Sequence, residues 1–144
     1  MIIKVRVIAI VLLPLALFAH SEKSGVRIEV LEQSTQMWNG EELPAYPDEA
    51  AQISVVKVTV PPHTKLGWHK HPCINAGYLL TGEIRVTAED GSTRLVKSGE
   101  GLIELVDIWH YGENVSDEVA EIIVIYVGAE GVPLALPKPI EKSL

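Results

Sequence analysis

Residues 84–96 read Ile84-Arg85-Val86-Thr87-Ala88-Glu89-Asp90-Gly91-Ser92-Thr93-Arg94-Leu95-Val96, two β-branched runs on either side of Asp90-Gly91. Asp-Gly supplies the left-handed backbone that a tight reversal requires, so the stretch predicts a hairpin with residues 84–87 and 93–96 as its arms. The same rhythm continues outward. Toward the C-terminus, Gly99 and Gly101 bracket a turn, residues 102–106 read as a strand, and residues 121–127 (EIIVIYV) form an almost continuous apolar strand expected to be buried on both faces. Toward the N-terminus lie a turn at Thr81-Gly82, a strand piece over residues 78–80 and the segment 66–73. A further strand over residues 53–60 is ended by Pro61-Pro62, because proline cannot donate to a ladder. Residues 26–31 alternate, with Val26, Ile28 and Val30 on one face, and are expected as a half-buried strand. Residues 35–50, with Asn39-Gly40, Pro44 and Pro47, read as an irregular loop. Helix is almost absent, and the fold class predicted is all-β, a barrel or sandwich.

The chain has 144 residues, enough for one domain around one core. Its start differs in kind: Lys4 and Arg6 precede an apolar run from Val7 to Ala19 broken only by Pro14, with small residues at Ala19 and Ser21. A run of about 13 residues falls short of the roughly 20 that cross a bilayer, so residues 1–21 read as a signal peptide and the protein as exported, periplasmic or secreted. An uncleaved anchor is the rival reading; after cleavage no stable membrane insertion is expected. Without Lys4 and Arg6, the 12 basic residues become 10 against 19 acidic, a net charge of −9. Such a surface repels nucleic acid, which is not expected as a partner. Cys73 is the only cysteine, so no internal disulfide forms and packing alone holds the fold. The expected division is 1–21 signal peptide, 22–51 N-terminal strand and irregular loop, 52–127 barrel core, and 128–144 an extended C-terminal tail on the barrel's edge.

Chemistry concentrates at His69-Lys70-His71. In a strand, side chains two apart share a face, so both imidazoles project into one space and Lys70 faces away. Two such imidazoles can share a metal if another strand supplies a third, and His110 is the candidate. His63, after Pro61-Pro62, reads as an exposed turn residue.

Gly67-Trp68-His69-Lys70-His71 followed by Gly82, and Gly99-Glu100 followed by His110 and Asn114, resemble the two motifs of the cupin superfamily. The resemblance covers roughly residues 52–127, and Trp68, Gly77-Tyr78, Glu104 and Trp109-His110 are similar to small exported single-domain members. It implies a single-domain cupin-like β-barrel, or jelly roll, and a homodimer. Two departures stand out: the acidic ligand of the first motif is replaced by Asn75, a weak neutral donor, and the second motif lacks its proline.

Glu104 offers the missing charge. It sits amid Leu102, Ile103, Leu105 and Val106, where an unpaired carboxylate is costly to bury, so it either points inward as a fourth ligand or faces outward against a surface cation. Cys73 continues the parity of His69 and His71 and is either a further ligand or a small buried residue. Trp68, Tyr78 and Trp109 are candidates to wall a ligand pocket, with packing on the rim as the alternative. Glu104 and Tyr78 are the candidate catalytic groups.

Three imidazoles with open positions suit one divalent transition metal, Fe, Mn, Ni, Cu or Zn. Such a centre binds a chelating small molecule and activates dioxygen, polarises a carbonyl or lowers the pKa of water. The function expected is a metal-dependent oxygenase acting on a small oxygen-rich ligand, aromatic or enediol. The alternative is a non-catalytic protein of the cell envelope that binds a small molecule or metal.

Overall fold

The structure is a computed structural model that describes residues 25–140; the expected signal segment lies outside them. The strands are β1 (Ala51–Val60), β2 (His69–Lys70), β3 (Ile74–Thr81), β4 (Glu83–Ala88), β5 (Thr93–Lys97), β6 (Gly101–Ile103), β7 (His110–Asn114), β8 (Ala120–Ala129) and β9 (Leu136–Pro137). They form two sheets, ordered β1-β8-β3-β6 and β5-β4-β7-β2-β9, with antiparallel neighbours throughout. The chain is all-β among the described residues, with no helix.

The hairpin forms where Asp90-Gly91 places it. Ile84 pairs with Val96 and Thr87 with Thr93, Gly91 takes a φ of +87°, and Asp90 Oδ1 accepts from Ser92 N at 2.8 Å. A second turn, between β3 and β4, depends on Gly82: its φ is +77°, and a Cβ there would stand 2.9 Å from Ala120. Only glycine satisfies both conditions.

Alternation sorts each strand into an inner and an outer face. Val56 and Val58 of β1, Ile122 and Val124 of β8, Leu79 of β3 and Leu102 of β6 meet Ile84 and Val86 of β4 in the core. Leu79, with no exposed surface, gains about 1.5–3 kcal/mol from burial. Within the first sheet, the Ile122 side chain of β8 leaves no room at Gly77 of the neighbouring β3, where a Cβ would lie 2.8 Å from Ile122 Cδ1.

Three expectations are revised. Residues 25–34 form no strand, and Ile28 and Val30 are largely exposed: alternation creates an amphipathic ribbon only where a neighbouring strand receives it. Strand β8 is not buried on both faces, since Ile125 remains 45% exposed beside Val55 of β1. Strand β6 stops at Ile103, short of the expected end at 106; beyond it, Val106 makes a bridge with His71, and Asp107 turns the chain away with a φ of 56°, a backbone region that Asp tolerates better than most side chains.

The loop before β1 folds back as a cap. Met37 is buried, its Sδ accepting from Val106 N at 3.1 Å, and Trp38 N donates to Ile103 O at 3.0 Å. After β8, the chain returns along β2, where β9 pairs Pro137 with His69 and Leu136 with Lys70.

Candidate metal centre

His69 on β2 stands directly opposite His110, the first residue of β7, and His71 follows two positions after His69 on the same face. The ring centroids lie 4.6 Å apart for His69 and His110, 5.0 Å for His71 and His110, and 5.1 Å for His69 and His71. One ligand nitrogen from each residue falls within 4.8 Å of the others, so the three converge on a single point.

Each ring is fixed from behind. Nδ1 of His69, His71 and His110 lies 2.8 Å from the carbonyl oxygens of Gly67, Leu134 and Ile108 respectively. A carbonyl only accepts, so Nδ1 carries the proton and donates, leaving the Nε2 lone pair free to face the centre. Burial, opposed only partly by these hydrogen bonds, pushes His71 and His110 down to about 4, which keeps them neutral and ready to ligate at ordinary pH. The Leu134 carbonyl is a component that sequence reading misses, because a backbone acceptor in a tail carries no residue signature.

Glu104 points inward, which settles the choice of faces. It is 8% exposed, its backbone N–H donates to Asn75 O at 3.1 Å, and its Oε2 lies 3.8 Å from His110 Nε2. Burial pushes its carboxyl up to about 7. Glu104 Oε2 and His110 Nε2 are both buried without a hydrogen-bond partner, as is Asn75 Oδ1; Asn75 Nδ2 donates to Cys73 O at 3.2 Å. A carboxylate and an imidazole lone pair left facing one another are costly orphans unless a cation stands between them, so the donor set fits a divalent metal. His69, His71 and His110 are the residues able to hold it, with Glu104 beside His110.

The cavity in front of this set has a volume of about 80 Å³, walled by aliphatic side chains from both sheets, with Tyr126 and Glu104 as its other polar members. Tyr126, hidden in the EIIVIYV run, was not anticipated; only the strand's parity could have singled it out. Its ring lies 5.4 Å from that of His71, and burial, reinforced by the nearby Glu104, raises its hydroxyl to about 12.

The remaining candidates go elsewhere. Trp68 and Trp109 each precede a ligating His, so alternation turns them to the outer face, where Lys138 Nζ stands 5.4 and 5.7 Å over their rings. Trp68 packs edge-on against Tyr111 at 4.7 Å. Tyr78, paired with Ile123, faces outward from the other sheet. Cys73 stands outside the converging set, beside Gly128 in a separate groove of about 510 Å³, with its thiol pushed up by burial. His63 pairs with Asp117 at 2.9 Å on the surface. Asn114 is a brace for the chain: fully buried, it donates to Val60 O at 3.0 Å and Glu118 O at 2.7 Å.

Residues 56–126 match the family described as Cupin domain. Among solved structures, the chain is similar to the DMSP lyase DddQ from Ruegeria pomeroyi, with 18% identity over 63% of this chain and 45% of that one and a TM-score of 0.54. It is also similar to the polyketide cyclase RemF from Streptomyces resistomycificus, with 16% identity over 66% of each chain and a TM-score of 0.53. A third similarity is to the oxalate decarboxylase of Lactobacillus farciminis, with 19% identity, 59% of this chain, 26% of that one and a TM-score of 0.51. The matched part spans less than half the length of the lyase and of the decarboxylase. No curated protein matches the chain in sequence.

Proposed function

From the premise that this chain belongs to the cupin superfamily, we propose that it is a metal-dependent oxygenase acting on a small oxygen-rich ligand. One divalent transition metal is held by His69, His71 and His110 with Glu104 as the fourth ligand, in place of the acid that Asn75 displaces. The observation that carries this reading is the convergence of three carbonyl-anchored imidazoles, one of them 3.8 Å from the orphaned Glu104 carboxylate. When bound, such a metal supplies Lewis acidity and, for iron or copper, the capacity to bring dioxygen to a chelated ligand.

The chain's own residues do the rest. Carbonyl anchoring holds the three rings in one tautomer and one orientation, which removes the rotational freedom that loosens a metal site. Glu104 contributes the negative charge that offsets a dication in an aliphatic enclosure. Tyr126, protonated at ordinary pH, offers a hydrogen-bond donor within the cavity. Aliphatic walls lower the local dielectric, which strengthens each of these interactions.

Protein purified without chelators, assayed for metal by elemental analysis and for oxygen uptake with a panel of small enediols and catechols, tests the reading. Stoichiometric metal with uptake supports it. Stoichiometric metal with tight ligand retention and no uptake makes the protein a binding protein instead.

Export from the cytoplasm belongs to the same proposal, supported by the apolar run before His20. N-terminal sequencing of the protein recovered from the periplasm or medium tests it, with Glu22 expected as the first residue. A homodimer is proposed as well, supported by the apolar outer face where Ile53, Val55 and Ile125 remain exposed.

A further inference from the structure

Residues 26–31 alternate apolar and polar side chains as a strand does, yet Ile28 is 73% exposed and Val30 69%. Neither packs on more than a little of its own chain, and an amphipathic ribbon becomes a strand only when a sheet edge receives it. At the end of this segment, Leu31 and Glu32 lie against Gly101 of β6, where a Cβ would stand 2.7 Å from Glu32 Cβ. The segment is therefore tethered at the β6 end of the sheet β1-β8-β3-β6.

Four strands end the two sheets, and one of them suits a partner of six residues. β6 has three residues, and its Ile103 O already accepts from Trp38 N at 3.0 Å. β9 has two, one of them Pro137, and β5 has five, among them Arg94 and Lys97. β1 has ten residues and no proline. It pairs with β8 on one side, and on the other, among the described residues, residues 51–59 make no backbone hydrogen bond. A long edge with free donors and acceptors is a template for another strand. Beside that edge, Ile53 is 57% exposed and Val55 68%.

Reach decides which molecule supplies the edge. A strand added beyond β1 lies four strand spacings from β6, about 19 Å, and residues 26–31 span about 20 Å when fully extended. Crossing the sheet would consume the whole segment and leave nothing to run along its own β1. The receiving edge belongs to another molecule.

We infer that residues 26–31 add as a strand to the free edge of β1 in a second copy of this chain, reciprocally about a two-fold axis. Ile28 and Val30 fall beside Ile53 and Val55 of the second copy, so four largely exposed apolar side chains cover one another while the free ladder groups of β1 gain partners. Arg27 and Glu29, ion-paired at 3.3 Å, take the opposite face of the added strand. The four-stranded sheet becomes five-stranded, as is the sheet it packs against. The inference rests on the homodimer reading proposed above and goes beyond it by naming the segment exchanged and the edge that receives it.

The experiment compares the chain from Glu22 onward with an Ile28→Asp/Val30→Asp variant and an Arg27→Ala/Glu29→Ala variant, by sedimentation velocity and by backbone hydrogen exchange over residues 51–60. Because Ile28 and Val30 are exposed on their own chain, replacing them removes little that holds its fold. The native chain and the Arg27/Glu29 variant are expected to sediment as dimers. The Ile28/Val30 variant is expected to sediment as a monomer, with amides of residues 51–60 exchanging at least tenfold faster. An Ile28/Val30 variant that stays dimeric with unchanged exchange overturns the inference and leaves a dimer through the outer sheet face standing. A monomeric variant with unchanged exchange at residues 51–60 overturns the assignment of the receiving edge. A native chain that sediments as a monomer overturns both the inference and the homodimer.

Discussion

Glu104 Oε2 and His110 Nε2 lie 3.8 Å apart, buried, and neither has a hydrogen-bond partner. The shared metal ligation proposed for the pair makes Glu104 answerable to a single substitution. Glu104→Gln keeps the shape and removes the charge. Metal affinity, measured by isothermal titration with Zn(II) or Ni(II), is expected to fall at least tenfold; an unchanged affinity would remove Glu104 from the ligand set.

Metal binding is expected to raise thermal stability. A ligand at about 100 times its Kd, bound to the folded state alone, adds about 2.7 kcal/mol. The melting temperature should therefore rise by several degrees on adding metal and return on chelation. In His69→Ala, His71→Ala or His110→Ala, the response to metal should vanish, as differential scanning calorimetry would show.

The pH dependence of the metal-free protein follows from shifts of opposite sense. His71 and His110 are held at about 4, below the ordinary 6.5, so their contribution is complete above 6.5 and is lost as the pH falls toward 4. Glu104 is raised from 4.5 to about 7, so its contribution is complete below 4.5 and is lost as the pH rises through 7. Two histidines outweigh one glutamate, and stability should climb between pH 4.5 and 6.5. Removing the opposing group in Glu104→Gln should steepen the climb; urea denaturation midpoints across that window measure it, and a shallower profile would contradict the assignment.

Asn114 is expected to behave as a brace with no part in ligation. Asn114→Ala leaves the Val60 and Glu118 carbonyls without their donor and should cost about 1–3 kcal/mol in denaturant unfolding. The metal affinity of the folded fraction should stay within a factor of two or three.

The exposed outer sheet face gives a test of assembly. Ile125 is 45% exposed and Val55, its partner across β1 and β8, is 68% exposed. Ile125→Lys places a charge at the centre of the proposed dimer contact. Sedimentation velocity should show the native chain as a dimer and this variant as a monomer with its metal response intact.

Much of this was readable in the chain because period two is a strong signal. The Asp90-Gly91 hairpin formed in register, and the parity of His69 and His71, with His110 as third partner, brought three rings together. The same parity rule, applied strictly, sends Trp68 and Trp109 to the opposite face from their histidine neighbours, so their place outside the cavity was implicit in the sequence. Where both faces of a strand are apolar, parity has no anchor. That is why Tyr126 was hidden in EIIVIYV and why Glu104 could be assigned to either face until β6 and its neighbours were seen. Residues 26–31 show the converse: a clean alternation does not by itself make a strand.

Two of the three imidazoles owe their orientation to carbonyls only two residues behind them, Gly67 for His69 and Ile108 for His110. His71 owes its own to Leu134, 63 positions further along the chain. The centre is thus unequal in what it depends on. A cut or a competing contact that lifts the stretch after β8 leaves the barrel walls in place yet frees one ring to rotate, changing the number of aligned donors from three to two. The number of aligned imidazoles, in this protein, is tied to whether the stretch after β8 is seated.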